Sequence, residues 1–213
     1  VLGSEVLSSG LPTTAPASPA AITTLGGDFY LSNQGGDAGV FINGSIQVTG
    51  VDIQKSNGVI HTVSKTIVPA SLTIAGQAVE LGFTRLVDAL VEAQLDGIFA
   101  DAAQGPFTVF APTNDAFDAL YELLGVTGPA EIDDATLDAV LKYHVVSGRV
   151  FSSDLADGLE ATTLQTGKVV KNVSADGVTI TDLDPESADA TIIATTVFAT
   201  NGVIHAIDAV ILP

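Results

Sequence analysis

The side chains of this sequence best suited to acid-base chemistry are its three histidines, His61, His144 and His205. Nucleophilic catalysis would need one of them as a base beside a Ser or Thr and an orienting carboxylate. However, His61 and His205 each follow a Val-Ile pair inside an apolar run, and no Gly-x-Ser-x-Gly elbow accompanies them. We therefore interpret both as structural histidines that tie a strand to a nearby loop, and we predict no enzyme. A hydrolase of sugars or esters is the enzymatic alternative.

Clustered carboxylates at residues 182–189 are the strongest candidate for a cation site. They lack the Asp-x-Asp-x-Asp-Gly pattern and the distal Glu of a calcium loop, so a solvated turn between strands is the favoured interpretation. The chain has no cysteine, which excludes disulfides and thiolate metal sites. With no metal-ligand spacing of histidines and no phosphate-binding glycine loop, we predict neither a metal nor a cofactor.

Two of the histidines belong to a repeat. The pentapeptide Asn-Gly-Val-Ile-His occurs at residues 57–61 and 201–205, and the apolar stretch after each copy stops at a proline, Pro69 or Pro213. Residues 6–11 and 150–155 align at the same offset of 144 positions. A domain-sized period of this kind indicates duplicated domains. We interpret Asn57, His61, Asn201 and His205 as parts of a turn and of the strand that closes each domain.

The repeat also predicts the domain organisation. At the same offset, the counterpart of His144 would precede Val1, so we expect residues 1–70 to be the C-terminal half of a first domain and residues 71–213 to be a complete second domain. Processing or cleavage of the polypeptide, or a partial sequence, would explain why the first domain begins in its second half. The first half alone would expose an unpaired sheet face and edge, so we expect its N-terminal fragment, or a neighbouring domain, as a partner.

Helical patterns precede strand patterns in the second domain, which predicts an α+β class. Apolar residues with helical spacing run from Glu80 to Ala102, with an interruption expected at Gly97. Thr113 is placed to cap a helix over residues 114–124, and Asp133 or Asp134 to cap one that ends near Tyr143 and His144. Strands are predicted in four β-branched runs and in a short buried run before Pro112, at residues 168–173, 177–181, 191–198, 202–211 and 107–110.

Composition limits the classes of partner. The chain has 25 acidic and 7 basic residues and a net charge of −18, so nucleic acid and anionic membrane surfaces are disfavoured as partners. Cations, basic proteins and neutral sugars remain compatible with this charge. No run of 18 apolar residues occurs. The lack of cysteine favours a prokaryotic source. The acidic balance suits a saline setting such as seawater or brine, where salt screens the repulsion between carboxylates, and an ordinary acidic soluble protein is the alternative.

Three motifs in order resemble the fasciclin-like (FAS1) family. Residues 105–117, Gly-Pro-Phe-Thr-Val-Phe-Ala-Pro-Thr-Asn-Asp-Ala-Phe, are similar to its first signature block, and residues 201–213 are similar to its second. Tyr143-His144 matches the dipeptide between them, while residues 1–70 match only the second half of the pattern. The first copy has Thr-Val-Ser-Lys at residues 62–65 where the second has Ala-Ile-Asp-Ala. The resemblance implies a β-sandwich wedge with helices packed along one side.

The resemblance also implies a function. It points to a non-catalytic adhesion module that is extracellular or on the cell surface, secreted or anchored there, and that attaches to a protein or glycan of a cell or matrix surface, as in a biofilm. Tyr143 and His144 are the implied partner-binding residues, because the equivalent dipeptide in animal relatives is associated with integrin binding. Their apolar neighbours make packed, hydrogen-bonded side chains the favoured alternative. An architectural spacer in a larger surface protein is the alternative function.

Overall fold

The computed structural model describes residues 2–10, 20–33, 39–154, 158, 160–174, 177–182 and 189–213. The chain divides into two compact units. Unit 1 comprises Val1–Ala70 together with Val150–Asp154, and unit 2 comprises Ser71–Arg149 together with Leu155–Pro213. Among the described residues, no helix has the length and apolar character needed to cross a membrane.

The described residues of unit 1 form one antiparallel sheet of five strands, which are hydrogen-bonded in sequence order. The strands are β1 Ala20–Thr24, β2 Gly27–Asn33, β3 Val40–Ile42, β4 Ile46–Lys55 and β5 Gly58–Val63. Short 3₁₀ turns occur at Ser8–Gly10 and Ser152–Asp154. The described residues of unit 1 form no α-helix, in agreement with the strand-rich pattern of residues 1–70.

Residues 150–154 complete the core of unit 1, although they lie far along the chain from its strands. The Phe151 side chain is fully buried and its ring lies 6.1 Å from that of Tyr30. Ser152 Oγ donates a hydrogen bond to Gly44 O at 3.0 Å, and the hydroxyls of Ser32 and Ser153 are 2.6 Å apart. The sequence did not predict these contacts.

In its described residues, unit 2 combines five helices with a sheet of seven strands. The helices are α1 Ile74–Glu80, α2 Thr84–Glu92, α3 Asp96–Ala100, α4 Asn114–Leu124 and α5 Asp134–Tyr143. The strands are β6 Phe107–Pro112, β7 Val145–Ser147, β8 Glu160–Thr162, β9 Lys168–Ser174, β10 Gly177–Thr181, β11 Ala190–Ala199 and β12 Gly202–Ile207. Their order in the sheet is β7-β6-β12-β11-β10-β9-β8, in which β6 and β12 are parallel. The α+β class is confirmed.

The boundaries of α4 and α5 follow local signals, whereas those of the first three helices depart from the prediction. Thr113 caps α4 through its side chain, Gly125 ends that helix with φ of +70°, and Asp133 caps α5, all as predicted. The predicted helix over residues 80–102 is wrong in two respects. Glu80 ends α1 and the next helix begins at Thr84, and the later break lies at Gln94, where φ is +57°, and not at Gly97. The turn at Gln94 places Leu95 in the core while the apolar spacing continues across the break.

The part of unit 2 that the structure describes has two apolar core clusters. The larger cluster joins the helices to β6, β7 and β12 and includes Leu86, Phe117, Leu141 and Ile204. The smaller cluster includes Phe110, Tyr143, Ile192 and Ile207. Ile204 and Ile207 belong to different clusters because residues an odd number of positions apart point to opposite faces of a strand. Strand β12 is therefore buried along its whole length.

The two units share element boundaries at the offset of the sequence repeat. Strands β4 and β5 of unit 1 begin and end 144 positions before β11 and β12 of unit 2. The turns Ser8–Gly10 and Ser152–Asp154 are separated by the same offset, although both belong to unit 1. Both strand pairs also shift register at equivalent points, between Val48 and Ile53 and between Ile192 and Val197. The repeat in sequence is thus a repeat in structure.

Candidate functional site

His61 and His205 brace a β-bulge in each copy of the repeat. In unit 1 the Asp52 N–H donates to His61 Nδ1 at 3.4 Å, and in unit 2 the Thr196 N–H donates to His205 Nδ1 at 3.3 Å. Asp52 and Thr196 are counterparts and have φ of 57° and 55°. Each imidazole therefore accepts a bond from a backbone N–H that the bulge turns out of the strand ladder.

The remaining contacts of these two rings are also structural. His61 Nε2 lies 2.8 Å from the Val6 carbonyl, so both ring nitrogens of His61 contact backbone groups. His205 is fully buried and stacks on Phe110 with ring centroids 5.8 Å apart. His61, with both ring nitrogens against the backbone, and His205, buried against Phe110, support their strands and are poorly placed to move a substrate proton.

Asn57 and Asn201 occupy equivalent turns in very different surroundings. Asn201 is buried, its Oδ1 accepts from Ile74 N at 2.8 Å, and its Nδ2 donates to Phe99 O and Asp101 O, each at 3.1 Å. It therefore joins the start of α1 to the end of α3. Asn57 is exposed. Sequence reasoning placed both residues in turns but did not find this bridge, because its partners lie 100 or more positions away.

The parallel pair β6–β12 brings the two signature blocks side by side. Its register runs from Phe107 opposite Gly202 to Pro112 opposite Ile207. Thr113 lies at the end of this pair, where its N–H donates to Ile207 O at 3.1 Å while its Oγ1 accepts from Ala116 N at 3.2 Å. Thr113 thus both ends the strand and begins α4.

Tyr143 and His144 lie inside unit 2, at the end of α5. Tyr143 is fully buried and packs in the same apolar cluster as Phe110. His144 is 2% exposed; its Nδ1 lies 2.7 Å from Val140 O, and its Nε2 accepts from Ile211 N at 3.1 Å. The predicted strand over residues 202–211 ends at Ile207, and the His144 side chain holds the segment beyond it. Both side chains are therefore too deeply buried to contact a partner directly.

Burial keeps the His144 imidazole neutral. Desolvation lowers its pKa from 6.5 to about 4, and the bond to the Val140 carbonyl opposes this shift only in part. Protonation would also add a hydrogen to Nε2, which in the neutral ring accepts the hydrogen bond from the Ile211 amide. The ring therefore works as a hydrogen-bond bridge only in its neutral form.

Unit 2 is expected to lose stability as the pH falls from 6.5 to about 4. The unfolded chain binds a proton at His144 in this range and the folded chain does not, so the stability present above pH 6.5 is lost as the pH falls. A shift of this size corresponds to about 3 kcal/mol. Urea unfolding monitored by circular dichroism at several pH values measures the loss.

The control for this prediction is His144→Asn, which cannot titrate. It should be less stable than the natural chain at pH 7, and the difference between the two should shrink as the pH falls to 4. A difference that stays constant with pH would contradict the assignment to His144.

The other predicted site residues give no chemical centre among the described residues. No group of three or more His, Asp or Glu side chains lies close enough together there to hold a metal ion. Most of the acidic stretch considered as a cation site, residues 183–188, lies outside the residues that the structure describes. The assignment of partner binding to Tyr143 and His144 stays a prediction, as do the structural roles of the repeat.

Comparison with known proteins identifies relatives of both units. The family model of the fasciclin domain matches residues 1–69 and 81–213. Protein sll1483 of the cyanobacterium Synechocystis is 38% identical over 154 residues, which are 71% of this chain and 79% of that protein. Human periostin is 28% identical over 163 residues, 74% of this chain but only 18% of periostin. The chain therefore spans a small part of the longer animal relatives.

The fold has a solved counterpart. The structure of a FAS1 domain pair from the insect cell adhesion molecule fasciclin I matches with a TM-score of 0.56 at 16% identity. The match covers 87% of this chain and 68% of the insect chain. At this level of identity the likeness shows a shared fold.

Proposed function

Because the chain belongs to the fasciclin domain family, and has its α+β fold as the sequence predicted, we propose that it is a non-catalytic adhesion module. Membership of the family over both units is the observation that carries this proposal. The module would attach to a protein or glycan on a cell or matrix surface. The name of the insect relative, a cell adhesion molecule, supports the same assignment.

The geometry of the histidines supports a non-catalytic role. His61 bonds through both ring nitrogens to backbone groups, and His144 does the same inside the core. His205 is fully buried. A general base must reach the proton that it removes, and none of these rings is presented to a substrate in this way. The histidines of the repeat serve the fold under this proposal.

We propose that Tyr143 and His144 affect partner binding indirectly, by holding in place the exposed residues around them. Both side chains are buried, and His144 fixes Ile211 against the end of α5. Substitution of either residue would therefore change binding by displacing the exposed residues around this junction. The acidic surface that follows from a net charge of −18 favours basic or neutral partners.

We propose an extracellular or cell-surface setting, in a prokaryote, with the protein secreted or held at the surface. Support comes from the family and from the cyanobacterial relative at 38% identity. We also propose that residues 1–70 are the C-terminal half of one fasciclin domain and residues 71–213 a complete second one. The shared boundaries of β4 and β5 with β11 and β12 support this division.

Attachment of coated beads tests the adhesion proposal. The purified chain is coupled to beads at fixed density, and adhesion is counted on bacterial cells, animal cells, matrix proteins and immobilised glycans. We expect saturable attachment to at least one surface, with competition by the soluble chain. Beads that carry Gly202→Ala, a variant expected to lose the fold of unit 2, are the matched control. Equal attachment by the two kinds of bead, or no saturable attachment, would contradict the proposal.

The architectural spacer is the second candidate, and the repetition of structure in two units favours it. A spacer would project other domains of a surface protein and would bind nothing itself. It predicts that no surface in the bead assay gives saturable attachment, while insertion of further units lengthens the particle in small-angle scattering. A saturable ligand would exclude a purely architectural role.

A further inference from the structure

Helices α2 and α4 of unit 2 lie side by side and carry a row of carboxylates where they meet. Asn114 Oδ1 accepts from Arg85 N at 3.0 Å, and Arg85 Nε lies 2.9 Å from Asp118 Oδ1. One and two turns further along, on the sides of the helices that this ion pair marks, come more acidic residues. We call the acidic strip the four exposed carboxylates Asp88, Glu92, Asp118 and Glu122.

The chain supplies few cations to this strip. Residues 74–143 contain 12 acidic and 2 basic residues. Both basic residues already form ion pairs, Arg85 with Asp118 and Lys142 with Asp138. The other three carboxylates of the strip form no ion pair with a described residue. Like charges four positions apart on a helix repel each other, and the strip holds two such pairs. A cationic partner would relieve this repulsion.

The phenol of Tyr121 lies beneath the strip with a hydroxyl that lacks a partner. Tyr121 is 3% exposed, and none of the described residues forms a hydrogen bond with its hydroxyl. Burial raises the pKa of this phenol; the charge of Arg85 lowers it, and those of Asp88 and Asp118 raise it further. The hydroxyl therefore keeps its proton and lies near charged groups of both helices. Because buried hydroxyls are rarely left unpaired, this one indicates a site that a ligand completes.

We propose that the acidic strip and the Tyr121 hydroxyl bind an arginine-rich segment of a partner protein. Arg85 shows the mode of binding, since its guanidinium group already lies on Asp118. A guanidinium group has five N–H donors, so one arginine of the partner can bond to a carboxylate and to the phenol together. The half-exposed Arg85 side chain would turn aside to admit it. This inference rests on the proposed adhesion function and names the surface and the class of partner.

The spacing of the strip favours an extended segment with an arginine at every second position. Carboxylates four positions apart on a helix are about 6 Å apart along its axis. Side chains two positions apart on an extended chain are about 7 Å apart and point the same way. A metal ion fits less well, because no group of three or more described His, Asp or Glu residues could hold one. A second copy of the chain would bring a further net charge of −18.

The first test measures binding of a labelled peptide, Arg-Ser-Arg-Ser-Arg, to the full chain by fluorescence anisotropy at low ionic strength. We expect saturable binding with one site, which weakens as sodium chloride is added. The peptide Ser-Ser-Arg-Arg-Arg has the same composition and charge and should bind at least about threefold more weakly. Equal affinity for the two peptides would overturn the proposal. Displacement of the peptide by calcium at constant ionic strength would identify a metal site and would also overturn it.

Substitutions that remove one charge each separate the strip from the net charge of the chain. Asp88→Asn and Glu122→Gln should each weaken binding of the alternating peptide by at least about threefold. The matched control is Asp189→Asn, which removes an equally exposed carboxylate next to β11 and should change the affinity by less. Equal effects of Asp88→Asn and Asp189→Asn would show that overall charge attracts the peptide, and would overturn the proposal.

Tyr121→Phe tests the buried hydroxyl. Urea unfolding should show that this variant is at least as stable as the natural chain, because it removes a hydroxyl that has no partner in the described structure. It should nevertheless bind the alternating peptide at least about threefold more weakly. A merely structural role would give the reverse result, a loss of stability with unchanged affinity. That result would overturn the placement of the site over Tyr121.

The bead assay separates this inference from the adhesion proposal itself. Beads that carry the chain with both Asp88→Asn and Glu122→Gln should lose most of the attachment seen with the natural chain. If both kinds of bead attach equally, the strip is not the adhesive surface, while adhesion stands. If the natural chain attaches to no surface but binds the alternating peptide at the strip, the adhesion proposal fails and the binding site remains.

Discussion

Replacing Gly202 with alanine is expected to destabilise unit 2 by about 4 kcal/mol or more, enough to unfold much of it. A Cβ on Gly202 would lie 2.1 Å from Phe107 O and 2.6 Å from Ile74 Cδ1. The first of these atoms belongs to the backbone of β6, which the parallel ladder with β12 holds in place. The strands would have to separate to admit one methyl group.

Gly97→Ala is the matched control for this substitution. Gly97 lies in α3 of the same unit, and a Cβ there would meet no atom within 4 Å. Alanine is also the better helix former by about 1 kcal/mol, so this variant should be as stable as the natural chain or more so. Urea unfolding and hydrogen exchange of unit 2 peptides measure both variants. A loss of less than about 1 kcal/mol for Gly202→Ala would show that β6 can move aside.

The sequence predicted the elements whose signals lie within a few residues of one another. A cap at Thr113 and a glycine at position 125 were enough to place α4, and the alternation of turns and β-branched runs placed the strands of the second half. The repeat predicted a common turn and strand for residues 57–63 and 201–207, and strands β5 and β12 lie there. These signals are local, so composition and spacing suffice to find them.

Features that depend on distant partners could not be predicted from the sequence. The bridge from Asn201 to Ile74 spans 127 positions, and the bond from Ile211 to His144 spans 67. The burial of Phe151 in unit 1 is a similar case, since its neighbours lie on a sheet formed more than 100 positions earlier. The local sequence pattern does not show which of several apolar surfaces a side chain will pack against.

The two copies of the pentapeptide differ most in what surrounds their asparagines. Asn201→Ala is expected to cost about 4 kcal/mol, because it leaves the Ile74 N–H and the carbonyls of Phe99 and Asp101 without this partner inside the protein. Each such group costs about 1–3 kcal/mol when it is buried and unpaired. The release of α1 from α3 should appear first as faster hydrogen exchange in both helices.

Asn57→Ala is the matched control in the other copy, and it should change the stability of unit 1 by no more than about 0.5 kcal/mol because its amide is exposed. Asn201→Asp gives a second comparison. Its carboxylate can still accept from Ile74 N but cannot donate to the two carbonyls, so it should destabilise unit 2 at least as much as alanine. Equal effects of Asn57→Ala and Asn201→Ala would contradict this explanation. Each asparagine would then support only its own turn, and other contacts would hold the helices of unit 2.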